Sequence, residues 1–532
     1  MKRDNIHHYI YLASLSLLAF ATPLSNFMLS IGGILICANW IFSGNWQLKW
    51  QRLKEQPAAI WLSLFFFLCA IPLAYAAHLD VGFANLLNKL PFLYAPIILA
   101  TSDPLSGKEQ RAIANSFIIG VFIGTAASYI HYFTQPIKDI REISVFISHI
   151  RFSLCLDLAI CFAIYMGIKV KSYPLSLRVG YLTLSAWFGT YLFFAQTLTG
   201  IVLLFLLLLF AFFYLLKSRQ VVGRKLVSVV CVSVILIFAT YCFTVIKSYY
   251  TPTDDETKIE SHTANGNPYE NDTSSIVESG HKINMYVCKK ELQETWGQIS
   301  NVPYDEMVEA TAIRYLNSKG MRKDAAALAS LSQQDIDNIE KGVANVDYIN
   351  GFGIKRSLYP ILFSISLYNH YGMMQYSTVF QRFELWKAGC AVCKKHFWFG
   401  VGLGDHKPAI DQQLDENQSA LNYKRNMGAH NQFITYCLIG GVFLLLYFLV
   451  VLFIPFFTQK NSRNFLYMLF FIIVFCSLFM EDTLESQVGI SLYAIFNAFL
   501  LFVYKKEQFE DSSVVITEQS NTENDENHKP EY

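Results

Sequence analysis

The sequence predicts an all-α polytopic membrane protein, with about 12 transmembrane helices and one large, mostly helical loop outside the membrane. Three observations carry that prediction. Hydrophobic residues make up 53% of the 532 and charged residues only 16%, far from the composition of an ordinary soluble chain. Apolar runs of about 18–22 residues, the length that crosses the hydrocarbon core, recur along the chain. Basic residues fall in small clusters between those runs, and a net charge of +1 gives no electrostatic case for nucleic acid.

In order, the runs fall near 8–22, 26–44, 58–77, 84–101, 112–132, 152–168, 179–196, 200–216, 226–247, 433–457, 465–480 and 487–504. The first follows Met1-Lys2-Arg3-Asp4. With no small-residue cleavage site and a second run close behind, it reads as an uncleaved transmembrane helix rather than a signal peptide. Lys2 and Arg3, Lys49, Arg52 and Lys54, Lys108 and Arg111, Lys169, Lys171 and Arg178 fall on one side. So do Lys217, Arg219, Arg224 and Lys225, Lys460 and Arg463, and Lys505 and Lys506. The other side's short connections hold only Lys89, Lys138, Arg141 and Arg151. The positive-inside rule therefore puts both termini in the cytoplasm and the long segment after the ninth run outside it. The expected divisions are nine helices in 1–247, a loop domain in 248–431, three helices in 432–504 and a polar, disordered cytoplasmic tail in 505–532.

Within the loop, Tyr250 to Gly280 is rich in Thr, Asp, Glu, Ser and Asn and reads as a mobile connection. Folded helices are expected from Ile283 onward. Asp305 to Gly320 has helical periodicity with a glycine stop, and Ser332 with Asp335 suits a capping box. Ile361 to Tyr371, following Pro360, is apolar enough to lie on the membrane surface. Eight of the eleven cysteines sit inside apolar runs as small buried residues. Cys288, Cys390 and Cys393 do not. The Cys390-x-x-Cys393 pair has neither a second pair nor a histidine at zinc spacing, which favours packing, and a disulfide to Cys288 stays open.

The chemistry-bearing residues gather on one leaflet. Arg151 starts the sixth run, Arg382 and His430 stand in the loop, and Glu481, Asp482 and Glu485 fill the turn before the last run. Arginine suits a diphosphate because its planar fork donates paired hydrogen bonds and keeps its charge. Histidine can take a proton from a hydroxyl near neutral pH. Plainer readings stand beside these: Arg151 as an interfacial anchor, Arg382 as a surface or cation–π residue near Trp386, His430 as a helix-start residue. Gly400-x-Gly402-x-Gly404 followed by Asp405 looks phosphate-binding, but with no strand–helix context a bend is favoured.

The order Arg382-x-x-x-Trp386, then Phe399-Gly400-Val401-Gly402-x-Gly404-Asp405, then His430-Asn431-Gln432-Phe433 before Gly440-Gly441 resembles the O-antigen ligase / O-antigen polymerase family. Ile313 to Gly320 and Glu481 to Gly489 are similar to the form found in Bacteroidetes-type bacteria. The resemblance implies a metal-independent, cofactor-free glycosyltransferase of the bacterial inner membrane, acting in lipopolysaccharide and cell-envelope biosynthesis. Its donor would be an undecaprenyl-diphosphate-linked glycan and its acceptor lipid A–core, with the large loop periplasmic. Relatives that polymerise repeats or glycosylate proteins share that donor, and a lipid-linked glycan flippase is the alternative from another class. The family's loop arginine matches Arg382 and its essential histidine matches His430, so both are expected to be catalytic. Arg151, Asn431, Gly402, Asp405, Glu481 and Glu485 are expected to bind diphosphate or acceptor, with Asn431 orienting His430. One departure stands out: the family's membrane-edge arginine position holds Leu198, so either Arg151 takes over that contact or the donor is held differently.

Overall fold

The computed structural model describes residues 3–135, 137, 140–217, 224–253, 259–350, 354–373, 378–419, 421 and 423–510. Lys2, Lys138, Arg219 and the tail beyond residue 510 lie outside them. Every apolar run read from the sequence is helical, from Arg3–Ala21 to Gln487–Ala498 with its π-helical extension. Among the described residues, five helices are long and apolar enough to cross a membrane: Pro57–Tyr75, Leu79–Thr101, Gly107–Thr134, His149–Lys169 and Gln432–Thr458. Asn26–Phe42 and Trp46–Glu55, bent by 113°, make a sixth if the pair is one span. The chain is thus a multi-pass, all-α membrane protein. The one named sheet is a two-residue hairpin, Val277–Glu278 against His281–Lys282.

Packing divides the backbone into two compact units, 1–210 with 384–532, and 211–383. The sequence boundaries near 248 and 431 follow expected membrane crossings; the packing boundaries follow side chains. Helix Arg224–Tyr250 joins the second unit because Val245 and Tyr249 pack with Tyr359 and Leu362 of helix Ile354–Tyr371. Residues after 384 join the first because Leu385, Ala388 and Val392 share a core with Ile410, Leu414, Ala429 and Leu438. Helix Ile354–Tyr371 starts before Pro360 rather than after it, and its Phe363 also packs against the second unit's main core.

That main core gathers Leu292 and Trp296 of helix Lys289–Ile299 with Tyr315 and Leu316 of helix Glu306–Ser318, and with Leu328 and Ile339. The local signals expected from sequence are present. Asp305 caps helix Glu306–Ser318 by accepting from Val308 N at 2.8 Å, and Gly320 follows it at φ +66°. Ser332 and Asp335 form a reciprocal capping box.

Two expectations are corrected. The described part of the segment read as a mobile connection is structured: its polar side chains build turns and ion pairs instead of staying solvated. Thr263 Oγ1 accepts from the amides of Asn265 and Asn267, Asp272 from that of Ser274, and Glu278 is fully buried. Side-chain-to-backbone bonding of this kind uses the same residue types that signal disorder. The tail also begins with an ordered turn, Lys506–Phe509. Phe509 is buried against Tyr165 and Tyr504, and its carbonyl accepts from Arg111 Nη1 at 2.8 Å.

Glu278 receives a forked pair from Arg314, Nε to Oε2 at 2.9 Å and Nη2 to Oε1 at 2.8 Å, with Asn345 donating to Oε1 at 3.0 Å. Removing one partner of a buried pair leaves the other charge stranded. Glu278→Ala is therefore expected to destabilise the second unit by about 3–5 kcal/mol. The joint change Glu278→Leu with Arg314→Met should cost clearly less. Thermal unfolding of the purified protein compares the two.

Candidate functional site

The first unit's site is built on a broken helix. Inside Gln432–Thr458, Gly440 (φ −133°) and Gly441 (φ +66°) leave helical geometry and free nearby carbonyls. The glycine-rich turn takes them up: Val401 N donates to Leu438 O at 2.7 Å and Gly402 N to Ile439 O at 3.2 Å, while Val442 N returns a bond to Phe397 O at 2.8 Å. Any side chain at Gly441 would put its Cβ 2.2 Å from Trp398 O, and one at Gly400 would meet Leu438 O at 2.4 Å. These glycines let two backbones touch. Gly402 is accounted for in this way without a ligand.

Asp405 closes the turn. Its carboxylate accepts from Ala77 N at 2.6 Å, His78 N at 3.0 Å and the His78 ring at 2.5 Å, tying the turn to the segment after Tyr75. Burial pushes the Asp405 carboxyl up, but the His78 ring and the two amides outweigh it and hold it below its ordinary value. Next to it His406 is fully buried, and burial lowers its pKa against the opposing pull of Glu485 and Asp482.

At the start of the same helix, Asp482 organises the backbone. It accepts from His430 N at 2.9 Å, Asn431 N at 3.1 Å and Thr435 Oγ1 at 2.6 Å. His430 thereby sits at φ +48°, a left-handed conformation that ordinary residues avoid and that concentrates at functional sites. Its Nδ1 lies 3.1 Å from Glu481 Oε2, with about 30% of the side chain exposed. Asn431 does not orient His430, as expected from sequence. Its Oδ1 instead caps the helix, accepting from Phe433 N and Ile434 N at 3.1 and 3.2 Å, because it stands at the N-cap.

Arg151 stands at the start of helix His149–Lys169. Its Nη1 donates to Ser148 Oγ at 3.0 Å, whereas its buried Nε has no hydrogen-bond partner among the described residues. Glu485 turns away into a buried cluster, where Lys89 Nζ donates to it at 2.8 Å and Gln432 Nε2 at 3.0 Å. Lys89 and Gln432 are both fully buried, and neither was singled out as a site residue from the sequence. Their signal was a lone lysine between apolar stretches and a glutamine beside His430-Asn431. Arg382 stands half-buried on helix Thr378–Lys395, in the second unit, whose boundary falls at the next residue.

The cysteines with described side chains are free, Cys288 included. Cys393 packs against the Leu385–Leu438 core, and its thiol donates to Ile434 O at 3.8 Å.

Fold and site together define a helical, multi-pass membrane protein with a histidine and two carboxylates at the start of one long apolar helix. Residues 343–449 match the family model Wzy_C, described as O-antigen ligase, a stretch that contains Arg382, Gly402, Asp405, His430 and Asn431. This match supports an O-antigen ligase-like family assignment, and with it a membrane glycosyltransferase of ligase or polymerase type. No curated protein matches the chain.

Because the folded-state value of Asp405 lies below its ordinary 3.8, its stabilising contribution is complete above that pH and lost as the pH falls through the lower, folded-state value. Asp405→Asn should lower the melting temperature near pH 6, and the gap to wild type should close on acidification below pH 4. Thermal unfolding across that range measures it.

Proposed function

We propose that the protein transfers a glycan from undecaprenyl diphosphate to a hydroxyl acceptor at the periplasmic face of the bacterial inner membrane. Ligation of O-antigen to lipid A–core is the favoured reaction. The twelve helices would be spans, with both termini cytoplasmic and the large loop periplasmic.

The observation that carries this reading is His430, held in a left-handed turn by Asp482 and hydrogen-bonded through Nδ1 to Glu481. An ionised Glu481 can only accept, so Nδ1 carries the hydrogen and Nε2 keeps its lone pair. Nε2 would take the proton of the attacking acceptor hydroxyl. The new glycosidic C–O bond forms as the bond from the sugar's anomeric carbon to the diphosphate oxygen breaks, and the electron pair leaves on the diphosphate. Arg151, with an unfilled Nε donor, would hold that charge, giving transition-state stabilisation without a divalent cation, and Arg382 is proposed as catalytic on the family resemblance alone. Arg151 would thus supply the cation missing at Leu198.

A lipid-linked glycan transporter draws on one observation. Asp157, midway along His149–Lys169, is fully buried, and its carboxylate oxygens have no partner among the described residues. Ionisable groups at such depth mark translocation pathways in transporters.

Complementation of a strain lacking the gene tests the proposal, at matched membrane levels, with surface glycan on lipid A–core and lipid-linked donor both followed. His430→Ala should cut transfer by about 10²–10⁴-fold and accumulate donor, and Arg382→Ala and Arg151→Ala should also reduce transfer strongly. Normal transfer by both His430→Ala and Arg382→Ala would refute the site. Asp157→Asn should leave transfer intact, whereas loss of glycan export in that variant alone would favour the transporter. In membranes washed with EDTA, transfer is expected to continue at its original rate, and a loss restored by Mg²⁺ or Mn²⁺ would contradict the arginine-only mechanism.

A further inference from the structure

The second unit contains a cleft that the transfer chemistry does not use. It holds about 470 Å³, within the range of small-ligand sites. Its apolar wall includes Ile276, Ile313 and Phe363, and Tyr371, 47% exposed, also lines it. Four carboxylates line it, Glu270, Asp272, Glu306 and Glu309, against two cations. Both cations are committed. Lys289 Nζ lies 3.0 Å from Glu309 Oε1, and Arg314 is locked to Glu278 while its guanidinium covers the Phe363 ring at 3.4 Å. The cleft therefore combines an exposed aromatic ring, several hydrogen-bond acceptors and a negative charge excess.

Carboxylates accept pairs of hydrogen bonds from neighbouring hydroxyls, and an exposed ring packs against the C–H face of a sugar. The same negative charge repels phosphate. We infer that this cleft is a saccharide-binding site selecting a hydroxyl-rich, phosphate-free part of a glycan. The site would recognise sugar units of acceptor or donor rather than any phosphorylated portion. Its part in transfer rests on the function proposed above; the binding itself does not.

The test uses the full-length protein in detergent, with maltotriose, triacetylchitotriose and their 6-phosphorylated forms as probes, read by saturation-transfer difference NMR. At least one neutral trisaccharide should bind, and Tyr371→Ala and Glu306→Gln should each weaken it about three- to tenfold. The phosphorylated form should bind about tenfold more weakly at low salt, with the gap narrowing at about 0.5 M salt. The inference is overturned if no trisaccharide binds, if the phosphorylated forms bind equally well, or if both variants bind like wild type. Binding of a lysine-rich peptide but of no saccharide would overturn it too. If transfer survives both His430→Ala and Arg382→Ala while trisaccharide binding persists, the proposed transfer site fails and the cleft stands. If transfer behaves as proposed and no saccharide binds, the cleft alone fails.

Discussion

The site depends on one carboxylate. Asp482 takes three hydrogen bonds from the first residues around helix Gln432–Thr458, so a negative charge sits where the helix presents its unpaired amides and the positive end of its dipole. That interaction joins the turn before the last long helix to the start of the helix that carries His430. A side chain at Gly428 would put its Cβ 2.3 Å from Asp482 Oδ2, so glycine is needed for the carboxylate to come this close. Once the turn is fixed, Glu481 meets the His430 ring and Glu485 points to Lys89. Three acidic residues within five positions thus acquire three different duties, set by the geometry of a single turn.

Much of the helical frame was legible because a membrane imposes long apolar runs, and those runs carry their own length rule. Capping signals were equally readable: Asp305, Ser332 and Asp335 act within one turn of their own sequence. The polar stretch ending at Gly280 was not. Whether Glu278 is solvated or buried depends on Arg314, 36 residues away, and on Asn345 beyond it. Composition cannot report a partner at that distance. The broken helix is a related case, since Gly440-Gly441 reads as part of a continuous span until the glycine-rich turn claims its carbonyls.

For the site itself, the residue types were readable and their assignments were only partly so. His430 and Glu481 meet in the first unit. Asn431 and Asp405 have the polarity of ligand contacts, yet each spends its oxygens on backbone amides. Sequence cannot separate these uses, because a cap and a ligand contact need the same acceptor. Lys89 was read as an ordinary loop charge; only the fold reveals that it is buried against Glu485 and beside the Tyr436 ring.

Charge balance links these residues to the Leu198 departure. A site that holds a diphosphate should not face bare carboxylates, yet Glu481, Asp482 and Glu485 all stand within a few residues of one another. Each is met by a donor of the first unit: Glu481 by His430, Asp482 by two amides and a hydroxyl, Glu485 by Lys89 and Gln432. The acidic turn is thus turned inward and works as scaffold. Arg151 is different, for its Nε–H is buried and has no partner among the described residues. An unfilled guanidinium N–H is a strong donor for an anion. In the function proposed above, that donor stands in for the arginine absent at position 198.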